Sequence, residues 1–167
     1  MQYLWEYTAG YGFRNYSYQT LPGNIGFIDF QAFADIDKFR TFTHNTFSRI
    51  KEEGVEDLII DIRRNSGGRS DVSEELMQYI SPMAFATFDT SQIKISNFLI
   101  SELTPASRAY IDSLGYGPGS LMTEDFALIP LRENPLRFTG RCYVLTSGFS
   151  FSSALDFSAM VRHYNAG

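Results

Sequence analysis

Two short segments hold the residues best suited to chemistry. The first is Ser147-Gly148-Phe149-Ser150-Phe151-Ser152-Ser153-Ala154, four hydroxyls in a turn that runs into a helix. A hydroxyl at a helix start lies beside backbone N–H groups whose partial positive charge favours a developing oxyanion. The second is Arg63-Arg64-Asn65-Ser66-Gly67-Gly68. Its paired glycines let the backbone turn with N–H groups exposed, as an oxyanion hole requires. Both segments also have plain readings, since a glycine pair makes an ordinary tight turn and a serine an ordinary N-cap. The residues alone leave that choice open.

Other reactive side chains are few. The single cysteine, Cys142, excludes an internal disulfide and a cysteine metal cluster, and within the apolar run Cys142-Tyr143-Val144-Leu145 it reads as a small buried hydrophobe. His163 follows Ser152 by eleven residues on one helix, a separation of about 16 Å, so it cannot act as a direct base and reads as a surface residue. His44 falls mid-helix among polar residues and reads as solvated.

Both turns should follow strands, because sites in open α/β sheets form beyond the carboxyl ends of strands. The alternation from Asn15 to Thr20 predicts a strand, Pro22-Gly23-Asn24 a turn, and Ile25 to Phe30 a second strand. Asp35 is the expected N-cap of a helix whose inner face is Ile36, Phe39, Thr43, Phe47 and Ile50, with Gly54 ending it in a left-handed conformation. Leu58-Ile59-Ile60-Asp61-Ile62 reads as a parallel strand covered on both faces. A second helix is expected from Asp71 as cap, with Glu74 completing a capping box, Val72, Leu76 and Ile80 inward, and Pro82 as its stop. Residues 83–137 are weakly patterned, with a strand at Gln92 to Ile95, a helix around Ala106 to Leu114 and a Gly/Pro-rich loop from Gly115 to Ser120. Cys142 to Leu145 is then a buried strand, and Ser152 to Tyr164 a helix with Leu155, Ala159 and Met160 inward.

The chain has 167 residues, 44% of them hydrophobic, enough for one domain with a core. A net charge of −5 argues against a phosphate-tracking surface and hence against nucleic acid as partner. No apolar stretch reaches the ~18 residues of a membrane span, and Met1 to Glu6 lacks the pattern of a signal peptide.

Taken together, the two segments resemble the C-terminal-processing, or tail-specific, serine peptidases of the ClpP/crotonase-like superfamily. In that family a strand of the type Leu-Ile-Ile-Asp-Leu-Arg-Asn-Asn-x-Gly-Gly precedes the oxyanion loop, and here it reads Leu58 to Gly68 as Leu-Ile-Ile-Asp-Ile-Arg-Arg-Asn-Ser-Gly-Gly. The family's later strand and serine-rich turn correspond to Val144-Leu145-Thr146-Ser147 and Phe151-Ser152-Ser153-Ala154-Leu155-Asp156-Phe157. The likeness runs from about Asn24 to Gly167, with 83–137 matching poorly as a variable insertion.

The resemblance implies an α/β fold of ββα units, with a mostly parallel sheet flanked by helices. On this reading residues 1–167 form a partial catalytic core, 1–23 being an N-terminal strand and linker and the end of the domain lying after Gly167. By position Ser152 is the expected nucleophile, and its own N–H or that of Ser153, with the N–H of Gly68 or Gly67, forms the expected oxyanion hole. The substrate would be an extended peptide or unfolded protein tail, with no cofactor and no metal. An extracytoplasmic location is implied, and a homo-oligomer stays open.

There are departures. The family's activating lysine would lie beyond Gly167, so the isolated chain is expected to be inactive. A related branch uses a histidine where this chain has Asp29, and Leu155 stands where a glutamate is frequent. No peptide-binding PDZ module is recognisable. An alternative is a homologue that has lost turnover and holds peptides by strand addition; another is an acyl-thioester enzyme of the wider superfamily, which no separate motif supports.

Overall fold

In a computed structural model, residues 15–167 are described. Most of the 1–23 region, Met1 to Glu6 included, therefore lies outside the described residues. The described chain divides into two compact units, one containing residues up to Thr87 together with Pro130–Gly167, the other Phe88–Ile129.

The larger unit is a four-stranded sheet with helices. The hairpin β1 (Tyr16–Leu21) and β2 (Ile25–Phe30) leads through α1 (Ile36–Glu52) to β3 (Asp57–Asp61), and α2 (Ser70–Ile80) follows. In the smaller unit, β4 (Thr90–Lys94) pairs antiparallel with β5 (Leu121–Asp125), with α3 (Asn97–Glu102) and α4 (Pro105–Ser113) between them in the chain, and Ile95 and Ile111 are buried. The larger unit resumes with β6 (Arg141–Leu145) and α5 (Ser153–His163). Its strand order is β1-β2-β3-β6, antiparallel at β1 and parallel elsewhere. The ββα arrangement with a mostly parallel sheet is thus the observed architecture.

Asp35 caps α1 as its sequence position requires, accepting from the Lys38 N–H at 3.4 Å, and Gly54 takes the left-handed conformation at φ 64°. Phe39, Thr43, Thr46, Phe47 and Ile50 are the buried residues of α1, while Ile36, expected inward, is half-buried; Ile28, Phe30, Leu58 and Ile60 of the sheet are buried with them in the core. Register matters here because β2 and β3 run parallel, Asp29 beside Asp61, so both strands release their chains at one end of the sheet.

Three expectations need correction. The strand β3 is not covered equally on both faces: Leu58 and Ile60 are fully buried, whereas Ile59 is half-buried and its β6 neighbour Tyr143 is 48% exposed. One face of the sheet carries the described core, so the strand alternates after all. Helix α2 begins at Ser70 with Arg69 in the cap position, so Asp71 is not the cap; its carboxylate binds the Arg69 guanidinium at 2.9 Å. Leu155 and Ala159 of α5 face outward, while Ala154, Phe157, Met160, Val161 and Tyr164 form the buried stripe. Among the described residues, no helix is long and apolar enough to cross a membrane.

Candidate active site

The strands β3 and β6 end side by side, Asp61 beside Leu145, and Ile62 N–H donates to Leu145 C=O at 3.0 Å. The glycine turn and the serine turn therefore emerge from adjacent strands. Asp61 marks the junction. Burial pushes its carboxyl up, but the Arg63 side chain (3.0 and 2.7 Å) and Arg63 N–H (3.0 Å) outweigh this and hold it below the ordinary aspartate value.

The two turns are locked together by serine hydroxyls. Ser147 donates to the Arg63 carbonyl and also accepts from the Phe149 N–H at 3.1 Å. Ser150, buried, donates to the Ile62 carbonyl at 2.8 Å and accepts from the Ser147 N–H at 3.0 Å. Ser153, only 3% exposed, donates to the Gly68 carbonyl at 2.7 Å. Three of the four serines thus have structural duties. Ser152 is the fourth: it is exposed, it occupies the N-cap position of α5, and its hydroxyl makes no capping hydrogen bond.

The backbone at Ser152 is unusual, with φ 53° and ψ −132°. A residue with a Cβ rarely adopts this conformation, at a cost of about 1–3 kcal/mol. It persists because the Ser152 carbonyl accepts from the Leu155 and Asp156 N–H groups at 2.8 and 3.2 Å, while Ser153 is tied down beside it. The residue is left exposed at a positively polarised helix end.

Gly67 lies directly against this residue. A Cβ added there would fall 2.7 Å from Ser152 Cβ, 2.7 Å from the Phe151 carbonyl oxygen and 3.1 Å from the Ser153 nitrogen. Gly68 is equally confined, since a Cβ there would fall 2.1 Å from the Phe33 carbonyl oxygen. The glycine pair is therefore more than a convenient turn. It is the one composition that lets these backbones approach, at φ 102° and 139°.

The sequence-predicted residues Ser152, Ser153, Gly67 and Gly68 are thus brought together, with Ser153 serving as a clamp through its hydroxyl. The N–H groups of Ser153 and Gly68 donate to no partner among the described residues, whereas the Gly67 N–H is bound by the Asn65 side chain at 2.8 Å. Asn65 and the clamping roles of Ser147 and Ser150 were not anticipated from sequence. The only local signal was the Asn-x-Gly pattern of a side-chain-closed turn. The histidines lie elsewhere: both are exposed, and His163 closes α5 in edge contact with Tyr164. Cys142 is buried and its thiol is pushed up to about 12, which keeps it unreactive. Two cavities of about 380 and 540 Å³ in the larger unit flank residues 136–143, and neither is lined by Ser152 or the glycine pair. The Ser152 turn is an open surface feature of these residues.

Comparison with known proteins follows the same lines. The profile of peptidase family S41 matches residues 24–167. The photosystem II D1 C-terminal processing protease superposes with a TM-score of 0.61 at 12% identity, covering 94% of this chain and 36% of that one. A protein from Parabacteroides merdae assigned as a peptidase superposes at 0.62 and 19% identity, covering 94% and 43%. A Bacteroides fragilis protein assigned as an S41 protease gives 0.51 at 17%, covering 89% and 35%. At such identities the likeness concerns the fold. The chain spans less than half the length of each of these three structures. No curated protein sequence is a significant match.

Proposed function

Because the chain belongs to peptidase family S41, we propose that these residues form the nucleophile and oxyanion half of a serine endopeptidase acting on extended peptides or protein tails. The observation that supports this most is the state of Ser152, the serine of its turn left exposed with its hydroxyl unpartnered among the described residues, held in a strained conformation against Gly67. The hydroxyl oxygen of Ser152 attacks the scissile carbonyl, and its proton passes to a general base. The family resemblance assigns that base to a lysine. The carbonyl oxygen becomes an oxyanion facing the N–H groups of Ser153 and Gly68. The C–N bond then breaks with the proton delivered to the leaving amine, and water hydrolyses the acyl-enzyme.

The test is reaction of the protein at its natural length with a fluorophosphonate, followed by peptide mapping. One adduct on Ser152, absent after prior unfolding, is expected. A folded protein that stays unlabelled beside a reactive serine hydrolase, while still binding a peptide that remains uncut, would establish the inactive peptide-binding alternative instead.

A further inference from the structure

Four hydrogen bonds converge on Asn65, which is fully buried. Its N–H donates to the Ile62 carbonyl at 3.1 Å, and its carbonyl accepts from the Phe151 N–H at 3.1 Å. Its side-chain Oδ1 accepts from the Gly67 N–H at 2.8 Å, and its Nδ2 donates to the Phe30 carbonyl at 2.9 Å. One residue therefore fastens the end of β2, the exit of β3, the glycine turn and the serine turn.

Its effect on the glycine pair is directional. The Gly67 carbonyl accepts from the Phe33 N–H at 3.1 Å. No peptide bond here is cis, and a trans peptide sets its N–H opposite its carbonyl. The Gly68 N–H accordingly points away from Phe33, and it meets no acceptor among the described residues. The neighbouring Gly67 N–H is already taken by Asn65. An amide bound by a side chain cannot also stabilise an oxyanion at full strength, so the two glycines are not equivalent.

We infer that Asn65 is a positioning residue of the site, engaging the Gly67 N–H and orienting the next peptide so that Gly68, with Ser153, supplies the oxyanion donors. This rests on the reading of Ser152 as nucleophile. The role demands a carboxamide, because one group must accept from Gly67 and donate to Phe30 at the same time. A carboxylate has no proton to donate and would set negative charge against the Phe30 carbonyl. Buried there, it would be driven to take up a proton, which would restore the donor.

The test compares wild type with Asn65→Asp at natural length, following the rate of fluorophosphonate labelling against pH. At about pH 8, where an introduced carboxyl is ionised unless burial holds its proton, the labelling rate should fall on the order of 10²–10³-fold, with reversible affinity for the reagent held within about threefold. On acidification to about pH 5.5 both proteins slow, because serine nucleophiles need a deprotonated base, but the variant's rate relative to wild type should recover at least about tenfold as its carboxyl takes up a proton. A folded variant whose carboxyl is ionised at pH 8 by carbon NMR and that still labels at the wild-type rate, or one that loses labelling only in proportion to its unfolded fraction, would overturn the inference. Should the variant fail to fold or keep its carboxyl protonated at pH 8, amide NMR of phosphonylated wild type decides: Gly68 and Ser153 amide protons should move downfield and Gly67 should not, and the reverse would refute the assignment. Wild type that never labels refutes the Ser152 reading, and the Asn65 role with it. Wild type that labels beside an Asn65 variant that is ionised yet indifferent refutes the Asn65 role alone.

Discussion

Alanine at position 152 should abolish peptide hydrolysis by the natural-length protein, by roughly 10⁴-fold or more in kcat, with little change in KM. The Ser147, Ser150 and Ser153 hydroxyls are each bound to a backbone carbonyl, so none can replace a lost Ser152. The same position carries strain, at φ 53°. Ser152→Gly should lose turnover as completely, yet it should raise stability by about 1 kcal/mol over Ser152→Ala, because glycine populates that region without a Cβ clash. A calorimetric melt of both variants checks this. Equal melting temperatures would mean that the backbone at Ser152 relaxes once the hydroxyl is gone, and residual hydrolysis in either variant would move the nucleophile elsewhere.

The second large effect is expected at Gly68. Alanine there would place a Cβ 2.1 Å from the Phe33 carbonyl oxygen at φ 139°. Overpacking and backbone strain together should cost about 3–5 kcal/mol, or roughly 6–20 °C in Tm for a domain of this size. The Phe33–Gly68 bridge also carries the Arg69 N–H to the Phe33 carbonyl at 2.8 Å, so displacing it loosens the start of α2. Gly54→Ala is the comparison, because it shares a positive φ of 64° but meets nothing within 4 Å. It should cost only about 1 kcal/mol. Thermal denaturation of the two variants separates steric approach from conformational freedom. If they melt together, the close approach of Gly68 to Phe33 is not what the glycine is for.

Much of this was legible in the sequence where the pattern is local. The α1 stripe and its Asp35 and Gly54 boundaries follow from side-chain period and capping chemistry, which act within a few residues. The failures came where tertiary contacts chose between local options. In α5 two stripes were available, and small residues such as Ala154 and Ala159 do not distinguish them. Packing of Phe157 and Tyr164 into the core decided the register. For α2, Asp71 satisfies a capping pattern, but the tether of Gly68 and Arg69 to Phe33 starts the helix at Ser70. The strand β5 and helix α3 of the smaller unit are short and expose residues such as Leu121 and Phe98, so neither shows a hydrophobic period.

The site was half legible. A motif shared between two distant segments pointed to Ser152 and the glycine pair. What holds them is long-range: Ser153 reaches Gly68 across 85 positions, and Ser150 reaches Ile62 across 88. No local rule predicts which serine clamps and which is left exposed.

The proposed chemistry requires that the Ser152 oxygen and the Gly68 and Ser153 amides, which meet no acceptor among the described residues, surround one point. A crystal structure of the phosphonylated natural-length protein measures it directly. The phosphonyl oxygen of a Ser152 adduct should lie about 2.7–3.1 Å from the nitrogens of both Gly68 and Ser153. An adduct oxygen turned to solvent, or held by donors unrelated to the glycine pair, would contradict the account.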